Sequence, residues 1–158
     1  MVADTGPVND LILIGHVDPL HRLFGRVVLP APVHTELSNS LAPAPVQLWI
    51  ASPPTWLEVI EAPGIVSLPG LHKGEAAAIA LGQSLTADLL LMGECRGVRV
   101  AQRQGLRVTG TLGVLDLAAA RGLVDFAQAI RALDETSFRK PTALLEMLLA
   151  KHGKTGPA

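Results

Sequence analysis

Two periodicities alternate along the chain. Short apolar runs, each cut off by a turn signal, read as strands: Val2-Ala3 ending at Asp4, Arg26-Val-Val-Leu-Pro30, Trp56-Leu-Glu-Val-Ile60, residues 88–92 and Arg107-Val108. The third is expected at a sheet edge, because Glu58 interrupts its apolar face. Between these runs the apolar positions recur at helical spacing. Helices are predicted over 8–14 (with Pro7 near the first position and Gly15 beyond the end), from Asp18-Pro19 to Gly25, from Pro30-Ala-Pro32 through Leu37, and over 46–51. Further helices are predicted from Lys73 onward, after Glu94, and over 112–120, 125–133 and 141–151, while residues 62–71 read as a surface loop. Strands and helices in alternation, with mostly apolar strands, predict an α/β sandwich on a mainly parallel sheet. One domain is expected over residues 1–152, followed by a disordered tail, 153–158.

Composition narrows the functional classes. Of the 158 residues, 49% are hydrophobic and the mean hydropathy is +0.38, yet no apolar run approaches the roughly 18 residues that would span a bilayer. The excess is expected in buried strands, Ala-rich helices and a partner-binding face, and it fits a homodimer. No basic leader followed by a long apolar segment is seen, so secretion is not indicated. A single cysteine, Cys95, allows no intramolecular disulfide; a partly buried thiol in a reducing cytoplasm is expected. The net charge of -1 does not mark a nucleic-acid binder, but residues 95–115 contain no acid while Arg96, Arg99, Arg103 and Arg107 recur at helix-like steps. Such a stripe is a solvated helix face or, if it borders a site, a contact to phosphates.

Acidic residues carry the candidate chemistry. Asp4 ends a strand, where ligands sit in open α/β sheets, although an Asp before a helix also serves as an N-cap. Glu75 starts a helix, where the dipole favours negative charge even in a residue with no further role. Glu94 follows a strand. Glu36 lies beside the apolar face formed by Val33 and Leu37, as a boundary residue or a site residue. Carboxylates gathered without basic partners repel one another, and a divalent cation relieves the repulsion; oxygen ligands favour Mg²⁺ or Mn²⁺ over zinc.

Taken in order, Val2-Ala-Asp-Thr-Gly-Pro7, the run from Leu20 to Gly25 with Val-Val-Leu-Pro30, Val33-His-Thr-Glu-Leu37, Leu71-His-Lys-Gly-Glu-Ala-Ala-Ala-Ile-Ala-Leu81, Ala87-Asp-Leu-Leu-Leu-Met92, Arg99-Val-Ala101 and Gly105-Leu-Arg-Val-Thr-Gly-Thr-Leu-Gly-Val-Leu115 resemble a PIN domain, in its VapC-like toxin branch of the DUF3368 type. No single piece is specific; the ordered set is. The resemblance implies a parallel sheet of about five strands between helix layers and a metal-dependent endoribonuclease acting on RNA, with Mg²⁺ or Mn²⁺ held by Asp4 and Glu75 and Glu36 orienting metal or water. It further implies that Thr5, Thr109 and Thr111 contact the scissile phosphate or position a carboxylate, Thr111 being equally suited to cap the next helix, and that Arg96 and Arg99 hold the flanking backbone. A small antitoxin protein is the implied partner. The family pattern has an Asp where this chain has Gly93; Glu94, one methylene longer, either swings in as a fourth catalytic and metal-binding carboxylate or points away. The rival reading is an attenuated or inactive PIN-like module that binds RNA or protein.

Overall fold

The structure, a computed structural model, describes residues 1–64 and 67–153. The chain runs β1 (Val2–Ala3), α1 (Thr5–Leu13), α2 (Pro19–Phe24), β2 (Val27–Pro30), α3 (Ala31–Leu37), α4 (Ala44–Ala51), β3 (Leu57–Ile60), α5 (Lys73–Ser84), β4 (Leu90–Leu91), α6 (Cys95–Arg103), β5 (Val108–Thr109), α7 (Thr111–Ala120), α8 (Phe126–Asp134) and α9 (Thr142–Gly153). The strands form one parallel sheet in the order β3-β2-β1-β4-β5.

Period-two alternation along the strands feeds two cores. Val2, Val28, Leu90 and Met92 pack with Ala78, Ile79 and Leu81 of α5 and Ala101 of α6 on one face. Ala3, Val27, Leu29 and Leu91 point to the other face, among Val8, Leu11, Val33, Leu37, Leu115 and Leu133. This is the three-layer α/β/α arrangement the alternating pattern predicts. Small residues bring α5 close to the sheet: a Cβ at Gly82 would lie 3.1 Å from Leu90 Cδ2. Leu29 is fully buried, so Leu29→Ala is expected to lower stability by about 2–5 kcal/mol, read as a reduced urea midpoint.

β3 is an edge strand, as Glu58 implied, and there Glu58 accepts from Arg26 Nε and Nη2 at 2.9 and 3.0 Å. Three local expectations are corrected. Only Leu90–Leu91 of residues 88–92 forms ladder, because β4 sits between two equally short strands. Pro7 stands at the third helical position, since α1 begins directly at Thr5. Cys95 is exposed rather than partly buried, because it opens α6 at the protein surface. The expected tail lies, from residue 154 on, outside the described residues, as do residues 65 and 66 of the expected 62–71 loop.

Candidate active site

From β1 the chain moves outward to β2 and β3, then crosses back through α5 to place β4 and β5 on the opposite side of β1. Strand order therefore reverses between β1 and β4, and the carboxyl ends of these strands border the crevice where ligands bind in open α/β sheets. Asp4 leaves β1 at this point, its N–H donating to the Leu91 carbonyl of β4 at 2.8 Å. Glu94 leaves β4 three residues later as the N-cap of α6. Glu36 comes from the last turn of α3 and Glu75 from the first turn of α5, and these two helices pack against each other.

All four predicted acids line one pocket of about 440 Å³, together with Thr5, Gly6, His72 and Lys73. Asp4 and Glu75 are each only 5% exposed, Glu36 is half-buried and Glu94 is exposed. Asp4 occupies the N-cap position of α1 but makes no side-chain capping bond, so the site reading of this residue gains over the cap reading. Burial above all pushes the Asp4 carboxyl up to about 7; the Thr5 backbone N–H pulls it down, and the charges of Glu75, Glu36 and Glu94 raise it further.

Glu36 and Glu75 are held by their neighbours. The Thr5 hydroxyl donates to Glu36 Oε2 in a close contact, and the Gly74 N–H donates to Glu36 Oε1 at 3.2 Å. The His72 N–H donates to Glu75 Oε2 at 3.1 Å, so Glu75 closes the first turn of its own helix while its carboxylate faces the pocket. Gly74 is needed for this packing. A Cβ there would come within 2.8 Å of both Glu36 carboxylate oxygens, which can swing aside because they end a flexible side chain. Gly74→Ala is therefore expected to keep its melting temperature near that of the parent while displacing Glu36 and lowering metal affinity about tenfold, measured by Mn²⁺ titration.

Among the described residues, no three or more Asp, Glu, His or Cys side chains converge as a ready-made coordination group. Mg²⁺ does not require one: it is typically held by one or two carboxylates with its remaining positions filled by water and phosphate oxygens. An oxygen-rich pocket with one deeply buried acid whose ionisation is opposed by three others fits such an ion, and Asp4 and Glu75 are the buried pair that would hold it.

A second, larger groove of about 820 Å³ meets the acidic pocket at Asp4, Gly6 and Glu94. Thr109 and Thr111 line it, as does Asp10, a residue with no signal of its own in the sequence. The Thr111 hydroxyl donates to Asp10 Oδ2 at 3.0 Å, and Gly110 is the N-cap of α7, so Thr111 does not cap that helix. Burial raises the Asp10 carboxyl, opposed by hydrogen bonds from Thr111 and Asn9. Asp10 and Thr111 are 101 positions apart, so no local spacing could have paired them. Lys73 opens α5 and lines the acidic pocket, and in the sequence it carries no signal beyond that of a helix start. Arg96 and Arg99 lie on α6 and line neither groove; Arg96 Nη1 donates to the Gly70 carbonyl at 3.3 Å, which ties α6 to the loop that precedes α5.

No curated protein and no solved structure matches the chain. One family model does, DUF3368, described as a PIN domain, and the match spans residues 1–154. With an all-parallel five-stranded sheet between helix layers and acids gathered at its switch point, the chain belongs to this PIN-domain family.

Proposed function

We propose that the protein is a divalent-metal-dependent endoribonuclease that hydrolyses RNA phosphodiester bonds. The observation that carries this reading is the convergence of Asp4, Glu36, Glu75 and Glu94, drawn from four separate segments, on one pocket at the strand-order reversal. Membership of the PIN-domain family supports nuclease chemistry in general. Mg²⁺ or Mn²⁺ bound there supplies positive charge that stabilises the negative charge growing on the attacked phosphate. The chain's own groups prepare that event. Asp4 and Glu75 are the buried donors, and Glu36 is fixed in direction by the Thr5 hydroxyl and Gly74 N–H. Lys73 stands exposed at the pocket edge, where its ammonium attracts the polyanion.

The VapC-like reading adds a small antitoxin as partner, whose inhibitory segment would place an arginine among these carboxylates, and a homodimer. Exposed Leu41 and Leu48, at 92% and 75%, offer apolar surface to either partner. The second reading, a PIN-like module that binds RNA or protein without turnover, is favoured by one observation, Gly93 at the usual Asp position. Incubation of labelled RNA with the protein in Mg²⁺, Mn²⁺ or EDTA separates the two. Cleavage in either ion and none in EDTA is expected; cleavage unaffected by EDTA contradicts the metal-dependent reading, and RNA binding without cleavage in any ion favours the module.

A further inference from the structure

The larger groove has a polarity of its own. Toward the acidic pocket it is bounded by Asp4 and Glu94; its far wall is the segment 137–144, which contributes Phe138, Arg139 and Leu144. Phe138 is half-buried and packs against the main core, which fixes its position. Arg139 is exposed and has no carboxylate partner among the described residues. Its neighbour Lys140, in contrast, pairs with Asp134.

Resting on the ribonuclease reading above, we propose that this groove is a nucleoside-binding subsite: it takes one unpaired base of the RNA against Phe138, and Arg139 holds the adjoining phosphate. Three observations carry the assignment. The two grooves share Asp4, Gly6 and Glu94, so a strand with a phosphate at Asp4 continues into one groove or the other. The smaller one gathers four carboxylates around a single cation, Lys73; the larger has three, Asp4, Asp10 and Glu94, with Asp10 accepting from the Thr111 hydroxyl, and carries the guanidinium of Arg139 at its far end, so a phosphate carried beyond the acids meets a cation there. A volume of about 820 Å³ falls in the range of sites that bury a small organic ligand. An aromatic face beside a cation is the combination that holds single-stranded nucleic acid, because every base presents a π-face and every linkage a charge. Asp10 and Thr111 add hydrogen-bonding groups along the same groove, able to meet the polar edge of a base. A base held in a duplex cannot reach Phe138 without leaving its stack, so the subsite selects unpaired positions beside the scissile bond.

The test uses the full chain with Asp4→Asn, expected to hold RNA without cutting it, and short unpaired oligoribonucleotides carrying 2-aminopurine at successive positions. Quenching confined to one position next to the cleavage site is expected, with Phe138→Leu removing the quench and weakening binding about tenfold. Arg139→Gln should weaken binding and lower its salt dependence by about one phosphate contact. In parallel, abasic substitution at that position should raise KM for cleavage by the otherwise unaltered protein, and melting curves of both groove variants report whether they fold. Efficient cleavage that ignores abasic substitution at every position and is unchanged in Arg139→Gln overturns the subsite while leaving the nuclease standing. Position-specific quenching without cleavage by the unaltered protein overturns the nuclease and leaves the subsite standing. Absence of both binding and cleavage removes both.

Discussion

Asp4→Asn is expected to abolish metal-dependent RNA cleavage, lowering the rate by ~10²-fold or more, and in EDTA to be more stable than the parent protein above pH 7. Both effects follow from one carboxyl in one place. Asp4 is 5% exposed and its carboxyl is pushed up to about 7 from 3.8, mainly by burial and further by three neighbouring glutamates. In the unfolded chain the same group ionises in the ordinary range. Below pH 3.8 the acid is protonated in both states and costs nothing; between 3.8 and about 7 only the unfolded state ionises, so stability falls as pH rises, and above about 7 the full penalty remains. Over that interval the penalty is on the order of 4 kcal/mol, at about 1.4 kcal/mol per pH unit. Asparagine removes it. Urea unfolding in EDTA from pH 4 to 8 should therefore show the parent losing stability while Asp4→Asn stays nearly flat. A parent curve without that fall contradicts the burial argument, and equal cleavage by the two proteins removes Asp4 from the mechanism.

The second large effect concerns the place where the family pattern has an aspartate and this chain has Gly93. Glu94 lines both grooves and its charge acts on Asp4, which makes it the candidate for the fourth carboxylate of the proposed mechanism. Glu94→Gln is expected to lower cleavage about tenfold, less than the loss at Asp4 because Glu94 is exposed and more readily replaced by water. Gly93→Asp in that background should restore most of the rate. The space exists: a Cβ at Gly93 would meet Pro7 Cγ at 3.7 Å and Cδ at 3.9 Å, ordinary contact distances. Gly93 is also not among the glycines with positive φ, so a side chain there costs little strain. No loss in Glu94→Gln, combined with a gain in Gly93→Asp alone, would mean that Glu94 points away and that the natural chain is attenuated.

The acids were legible in the sequence because each stands at a chain position with local meaning. Asp4 and Glu94 follow apolar runs cut off by turn or cap signals, and Glu75 opens an alanine-rich helix; such signals survive without tertiary information. What could not be read was how each carboxylate is held. The bond from Thr5 to Glu36 spans 31 positions and that from Gly74 to Glu36 spans 38, and both depend on how α3 docks against α5. The larger groove was invisible for the same reason. Its far wall, residues 137–144, reads in sequence as an unremarkable approach to the last helix, and only packing of α7, α8 and α9 brings it opposite β5. Arg96 and Arg99 show the converse: their spacing makes a regular stripe along α6, yet neither lines either groove, and Arg96 bonds the Gly70 carbonyl instead.

Diffraction at the manganese absorption edge, from crystals of the protein grown with Mn²⁺, tests the central claim most directly. An anomalous peak within ligating distance, about 2.0–2.2 Å, of carboxylate oxygens of both Asp4 and Glu75 is the expected result. A fully occupied manganese site elsewhere on the molecule, with the Asp4 and Glu75 carboxylates bare of metal, would contradict it.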